Sequence, residues 1–166
     1  MVLVTRYCLG CVLLQAFVFY LVCMFKIKNR IEFDTAHYLS GYEGKCANIH
    51  GHRYKLVVSI CSESLRSEGH SRGMVEDFSI IKNVLKDVEA FFDHKLLIED
   101  NEDGRRVAEA LKAMPNGFEI VMMPFRPTCE EMSRYIFEML RSKGLAVSEV
   151  ELFETPNNSC VYSVDI

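Results

Sequence analysis

Three histidines are spaced so that they could share one metal ion. His50 and His52 lie on either side of Gly51 in the stretch CANIHGHRY, where a strand begins, and His37 follows an earlier strand. Because residues two apart on a strand point to the same face, the first two imidazoles project side by side. Isolated histidines are more often surface or core residues, but three imidazoles without a fourth protein ligand are typical of a catalytic zinc with an open coordination position. The spacing therefore predicts a zinc site.

A thiol precedes this pair of histidines. Cys46 lies shortly before His50, near enough to act as a fourth ligand, a nucleophile or a base. A thiol close to a dication has a lowered pKa and is partly thiolate, the reactive form, at neutral pH. The residue would also suit a small buried position without any chemistry. The residues alone leave these alternatives open.

Two further clusters of residues contain a carboxylate that could take part in catalysis or binding. Asp93 precedes His94 at the end of a predicted helix, where an aspartate can orient an imidazole for proton transfer. A histidine in that place is also favoured by the helix dipole alone. Glu154 ends a predicted strand, and its carboxylate could accept two hydrogen bonds from a ring edge with adjacent N–H groups, as it would from an arginine. Each cluster, taken alone, has a purely structural explanation.

The elements that must position these residues alternate between strands and helices. Apolar residues recur at every second position in two early segments, and the first of them has one slip that indicates a bulge. Two late segments flank a Pro-Asn-Asn turn and predict a hairpin. The predicted strands are residues 25–33, 52–61, 118–123, 147–153 and 159–166.

Helix signals lie between the strands. Asp77 can cap a helix whose apolar residues, from Ile80 to Phe92, are three and four apart. Thr128 and Glu131 form a capping box for a second helix, which Gly144 ends. Residues 105–114 predict a short helix between them. One α+β domain follows from this order.

Composition limits the function classes. The chain has 166 residues and a net charge of −4, and its lysines and arginines are scattered, which argues against nucleic acid as the main partner. Its seven cysteines are odd in number and irregularly spaced, which argues against a disulfide framework and favours a cytoplasmic protein.

The N-terminal segment is more apolar than the rest of the chain. Residues 7–25 are almost wholly apolar, with Arg6 before them and Lys26 and Lys28 after. This pattern is typical of a membrane helix or the apolar part of a signal peptide. Alternatively, Met24 would begin the domain directly at its first strand, and the upstream residues would be a start-site artefact. We therefore divide the chain into an apolar extension, residues 1–23, and a domain, residues 24–166.

Taken in order, the motifs FDTAH, CANIHGH, GMVEDF, DHKLL, PTCEE and FET closely resemble the 6-pyruvoyl-tetrahydropterin synthase superfamily. Within it, the three residues between Cys46 and His50 resemble the spacing in the 6-carboxy-5,6,7,8-tetrahydropterin synthases of queuosine biosynthesis. The resemblance runs from about Phe25 to the C-terminus. Two departures are Thr35, where alanine is usual, and Glu131, where asparagine is common.

The resemblance implies a tunnelling fold: a four-stranded antiparallel sheet with two helices on one face. Trimers would close their sheets into an oligomeric β-barrel, and two trimers would stack into a homo-hexamer. Active sites would then lie between subunits, and the exposed sheet edges would be protected.

The resemblance also implies a substrate, 7,8-dihydroneopterin triphosphate, and products, 6-carboxy-5,6,7,8-tetrahydropterin, acetaldehyde and triphosphate. In this interpretation zinc acts as a Lewis acid on the side-chain hydroxyls, Cys46 removes a proton, and Asp93 and His94 relay another. Glu154 would anchor the pterin ring with Thr128 and Glu130, and the three histidines bind the metal (His37, His50 and His52). Two alternatives are a sister lyase that makes 6-pyruvoyltetrahydropterin and a pterin- or zinc-binding protein without catalysis.

Overall fold

The computed structural model describes residues 25–164. They form six strands, three α-helices and one 3-10 turn. In chain order these are β1 (Phe25–His37), the 3-10 turn (Lys45–Ala47), β2 (His50–Ser62), α1 (Phe78–Phe92), β3 (Lys95–Glu99), α2 (Glu102–Lys112), β4 (Ile120–Met123), α3 (Cys129–Ser142), β5 (Val147–Thr155) and β6 (Asn158–Ser163). The predicted N-terminal extension lies outside the described residues.

The strands form one mixed sheet in the order β4-β3-β1-β2-β5-β6. β1 and β2 pair antiparallel along their whole length, from Phe25 opposite Ser62 to His37 opposite His50. β3 runs parallel to β1 and to β4, whereas β5 pairs antiparallel with β2 and with β6. The long β1–β2 ladder therefore forms the centre of the sheet and carries all three histidines.

The predicted four-stranded antiparallel sheet is wrong in number and in direction. The described residues add β3 and β4, both parallel to β1. A buried parallel strand is a short continuous apolar run, and Leu96 to Ile98 has no alternation that would reveal a strand. The predicted bulge in β1 is also wrong, because the pairing of β1 with β2 has no register shift. The interruption of the apolar alternation is due to Asn29, a polar residue at an inward-facing position.

Side-chain acceptors begin the first two helices. Asp77 Oδ1 accepts a hydrogen bond from Ser79 N–H at 2.7 Å before α1, and Asn101 Oδ1 accepts one from Gly104 N–H at 2.7 Å before α2. Both bonds satisfy N–H groups that the first turn of a helix leaves without a partner. The predicted helix start at Asp77 is confirmed.

The capping box before α3 is only half formed. Thr128 Oγ1 accepts from Glu131 N–H at 3.4 Å. The Glu131 carboxylate does not return the bond, and its Oε2 accepts from Arg134 Nε at 3.0 Å. The Thr128 N–H donates instead to the Arg126 carbonyl oxygen at 2.7 Å. The helix thus begins where it was predicted to begin, with a different use of the glutamate.

Two helices cover one face of the sheet and the third covers part of the other. The main core joins inward-facing strand residues to α1 and α3, through Leu85 and Phe92 on the first helix and Met132 and Ile136 on the second. A second cluster comprises Tyr38, Leu96, Ile98 and Ala108. Because alternate residues of β3 point to opposite faces, Leu97 enters the main core while its neighbours meet α2.

The same alternation decides where the site lies. Phe33, Thr35 and His37 on β1 point inward, as do Tyr54 and Leu56 on β2. The side chains of His37, His50 and His52 therefore lie on the face of the sheet that α1 and α3 cover. None of the helices in residues 25–164 is long and apolar enough to cross a membrane.

Candidate metal centre and adjoining cavities

His37, His50 and His52 converge where β1 ends and β2 begins. Their ring nitrogens all offer a ligand atom within 4.8 Å of one another. The convergence follows from pairing, because His37 lies directly opposite His50 and His52 follows two residues later on the same strand face. Gly51 lies between them where the strands come close: a Cβ built on it would be 3.3 Å from the Thr35 carbonyl oxygen.

Backbone carbonyls fix the orientation of two of these imidazoles. His37 Nδ1 lies 2.7 Å from the Pro127 carbonyl oxygen, and His50 Nδ1 lies 2.8 Å from that of Asn48. A carbonyl oxygen only accepts, so each Nδ1 must carry a proton, and in the neutral imidazole the lone pair is then on Nε2. Such bonds are what hold metal-binding histidines in other proteins.

The protonation of the site also suits a cation. Burial lowers the pKa of His37 and that of His52, which favours the neutral imidazole that a metal requires. His52 Nε2 is buried and has no hydrogen-bond partner among the described residues. A buried nitrogen without a partner is costly unless something occupies its lone pair. The three histidines therefore fit a metal ion, with no fourth histidine, cysteine or carboxylate closing the described cluster.

Glu154 approaches the same histidines from β5. Its Oε1 lies 3.6 Å from His37 Nε2 and 3.8 Å from His52 Nε2. Tyr54 donates its hydroxyl proton to this oxygen at 3.3 Å. The carboxylate thus stands beside the metal centre while part of it remains exposed to the neighbouring cavity.

Glu154 and Cys46 line the same cavity, which has a volume of about 290 Å³. Cys46 lies on the 3-10 turn and is half-buried. Thr128 and Glu130, at the start of α3, line the cavity together with His37. The structure therefore brings one metal-centre histidine, the thiol and all three residues predicted to hold the ring around one space.

Two more thiols line this cavity. Cys129 and Cys160 are both half-buried and free. Cys129 Sγ donates to the Leu152 carbonyl oxygen at 3.2 Å, and burial raises the pKa of this thiol to about 12. Cys129 is therefore held as a neutral thiol, unlike a reactive cysteine.

Asp93 and His94 lie apart from the cavity of Cys46. Asp93 Oδ1 accepts from the Asp34 N–H at 2.9 Å, and its Oδ2 lies 2.7 Å from His94 Nδ1. The His94 N–H donates to the Asp34 carbonyl oxygen at 2.6 Å, with a backbone φ of 55°. The pair is thus pinned to β1 as a unit.

His94 faces a second cavity, of about 470 Å³, which His52 and Arg53 also line. The hydrogen bond and charge of Asp93 raise the pKa of His94 and favour its protonated form. The Asp34 N–H and the His94 side chain hold the pKa of Asp93 below its usual value. The dyad therefore shares a cavity with His52, and this cavity is separate from that of Cys46.

Tyr54 is the residue of the site that the sequence analysis assigned only to a strand. It is fully buried, and burial together with the neighbouring Glu154 raises its pKa well above the ordinary value. A signal was present: His50, His52 and Tyr54 occupy alternate positions of β2 and must share a face. From sequence alone, a tyrosine at such a position is interpreted as a core residue, because the partners of its hydroxyl group are not known.

Comparisons with known proteins agree with these observations. The family model described as 6-pyruvoyl tetrahydropterin synthase matches residues 26–165. The 6-carboxy-5,6,7,8-tetrahydropterin synthase of Haemophilus influenzae is 39% identical over 142 residues, which are 84% of this chain and 99% of that protein. The protein of the same name from Rickettsia bellii is 34% identical, over 81% of this chain and 96% of its own length.

Solved structures show the same fold. An uncharacterized protein from Wolinella succinogenes superposes with a TM-score of 0.70 and 22% identity, over 84% of this chain and 97% of the other. The 6-pyruvoyl tetrahydropterin synthase of Caenorhabditis elegans superposes with a TM-score of 0.61 and 23% identity, over 84% and 95% respectively. The resemblance that the six motifs indicated is confirmed.

Proposed function

Because the chain belongs to the 6-pyruvoyl tetrahydropterin synthase family and is thus a pterin-processing lyase, we propose one particular reaction for it. It is a cytoplasmic enzyme of queuosine biosynthesis that converts 7,8-dihydroneopterin triphosphate and one water molecule to 6-carboxy-5,6,7,8-tetrahydropterin, acetaldehyde and triphosphate. The observation that carries this proposal is the position of Glu154, 3.6 Å from His37 beside a cavity that Cys46 lines. A ring anchor, a metal centre and a thiol then meet at one substrate.

His37, His50 and His52 would hold Zn²⁺. Three neutral imidazoles with an open position suit zinc in a catalytic site. When bound, the ion would supply Lewis-acid stabilisation of negative charge on substrate oxygens. The carbonyl oxygens of Pro127 and Asn48 would keep the ligand nitrogens aimed inward.

Glu154 would bind the pyrimidine edge of the pterin. Its carboxylate can accept two parallel hydrogen bonds from the 2-amino group and the adjacent ring N–H. Thr128 and Glu130 line the same cavity at the start of α3 and would contact the rest of that edge.

Cys46 and His94 would exchange protons with opposite sides of the substrate side chain. Cys46, as thiolate, would accept a proton from a carbon or hydroxyl in its cavity. His94, whose pKa Asp93 raises, would donate one from the second cavity, which His52 also lines. His52 belongs to both the metal centre and the second cavity, which supports action of the dyad on the same substrate.

The chain would act as a dimer of trimers. β3 pairs only with the end of β1, from Thr35 to His37. In the part of the chain that the structure describes, residues 26–33 of β1 therefore have a strand on one side only, and β6 is the outer strand at the other end of the sheet. Pairing such edges between copies would protect them. Native mass spectrometry of the zinc-loaded chain tests this assembly.

The sister reaction, which yields 6-pyruvoyltetrahydropterin, is the second candidate, because the family model and the Caenorhabditis elegans structure carry that name. One experiment separates the two. The zinc-loaded chain is incubated with 7,8-dihydroneopterin triphosphate, and the products are identified by mass spectrometry, with His70→Ala, a change in an exposed turn, as the control variant.

We expect 6-carboxytetrahydropterin together with acetaldehyde. A 6-pyruvoyl product would assign the sister reaction to the same site. An absence of turnover, with zinc bound and the assembly intact, would instead indicate a binding protein.

A further inference from the structure

Tyr54 stands between the predicted ring anchor and the metal centre. Its side chain is fully buried. The hydroxyl lies 3.3 Å from Glu154 Oε1 and 3.5 Å from His37 Nε2. These are the two polar atoms of the described residues with which it makes hydrogen bonds, so the hydroxyl connects the two halves of the site.

Both neighbours of this hydroxyl are acceptors. His37 Nδ1 must carry the ring proton, because it faces the Pro127 carbonyl oxygen at 2.7 Å, and Nε2 therefore offers a lone pair. Glu154 Oε1 also accepts. A phenol has a single proton to donate, so at any moment Tyr54 can satisfy only one of them.

We propose that Tyr54 is a positioning residue that couples metal occupancy to binding of the pterin ring. When His37 Nε2 binds an ion, its lone pair is no longer available to Tyr54. The hydroxyl proton is then donated to Glu154 alone. The proposal rests on the proposed function, since it takes Glu154 as the ring anchor and the histidines as the metal ligands.

The consequence for Glu154 is a fixed orientation. Its side chain is 28% exposed and has no arginine or lysine among its ion-pair partners in the described residues. A permanent hydrogen bond to Oε1 holds the carboxylate plane, so that less freedom is lost when the ring binds. Coupling of this kind is reciprocal: the ring must raise the affinity for the metal by the factor by which the metal raises affinity for the ring.

The test uses unsubstituted pterin, 2-amino-4-oxopteridine, as the probe. It has the ring edge that Glu154 would bind but lacks the side-chain hydroxyls that would reach the metal directly. Its dissociation constant is measured by fluorescence with and without saturating Zn²⁺, for the wild-type chain, Tyr54→Phe and Tyr38→Phe. Tyr38 is a matched control, because it is buried in the second core and its hydroxyl has no partner among the described residues.

We expect zinc to tighten pterin binding about tenfold in the wild type and in Tyr38→Phe, and by less than about twofold in Tyr54→Phe, which keeps its zinc. Coupling that persists in Tyr54→Phe overturns the proposal, as does a wild type that binds pterin equally with and without zinc. A wild type that binds no pterin in either state would instead refute the ring anchor itself.

A second measurement needs no variant. Chelator competition should show a zinc affinity about tenfold higher when the wild type is saturated with pterin. An unchanged zinc affinity would overturn the coupling even if Tyr54→Phe failed to fold.

Discussion

Substitution of Gly104 by alanine tests how closely α2 is packed against β3. It is the third residue of α2 and is buried. A Cβ built on it would lie 1.9 Å from the carbonyl oxygen of Glu99 and 2.9 Å from Ile98 Cγ2. Real Cβ atoms do not come closer than 3.0 Å to other heavy atoms. In Gly104→Ala, the helix and the end of the strand must therefore move apart.

Two effects of this substitution have opposite signs. Helix propensity favours alanine over glycine by about 1 kcal/mol. Overpacking a buried position costs about 1–3 kcal/mol, and the upper end applies because the obstacle is a backbone carbonyl that no side-chain rotation can relieve. The net loss in free energy of unfolding is about 2 kcal/mol. For a chain of this size, that lowers the Tm by about 4–8 °C.

Thermal unfolding followed by far-UV circular dichroism measures the loss, with excess chelator present so that metal binding adds no stability. Ala110→Gly is the control, because it makes the reverse change at an exposed position of the same helix. It should lose only about 1 kcal/mol, the propensity difference. If Gly104→Ala left the Tm unchanged or raised it, the contact with the Glu99 carbonyl would not be limiting and our packing argument would be wrong.

Three further predictions concern the site. Cys46→Ala should keep its zinc and bind pterin but lose at least about 100-fold in kcat; zinc lost from this variant, measured by inductively coupled plasma mass spectrometry, would make the thiol a ligand. His50→Ala should lose zinc and activity while His70→Ala keeps both, and zinc retained in the first variant would contradict the three-histidine site. Asp93→Asn should move the alkaline limb of the kcat–pH profile to lower pH, because the aspartate raises the pKa of His94 and an acid acts only while protonated; a limb that stays in place would exclude His94 as the acid.

The sequence was sufficient for features that depend on neighbours along the chain. The acceptors that begin α1 and α3 are local, and so is the common face of His50 and His52. The family resemblance depended on such motifs too. The grouping of Cys46, Thr128 and Glu130 around one cavity, in contrast, joins segments far apart in the chain and entered only through that resemblance.

Features that depend on pairing between distant segments could not be predicted. His37 faces His50 because β1 and β2 pair in one register, which no single strand pattern specifies. β3 was missed because its buried apolar run lacks alternation. The side of the sheet that α2 covers also could not be predicted, because it depends on which residues of β3 enter the second core. For the same reason the hydroxyl contacts of Tyr54 could not be anticipated.

The hydrogen bond between His37 and Pro127 connects the three-histidine cluster to the start of α3. His37 belongs to β1, whereas Pro127 immediately precedes Thr128, the residue that begins α3. The bond that orients the His37 imidazole therefore also links it to the start of the helix whose first residues line the cavity of Cys46. Because Tyr54 makes a second connection, from His37 to Glu154, a displacement of this one imidazole would disturb both Thr128 and Glu154, the residues proposed to bind the pterin ring.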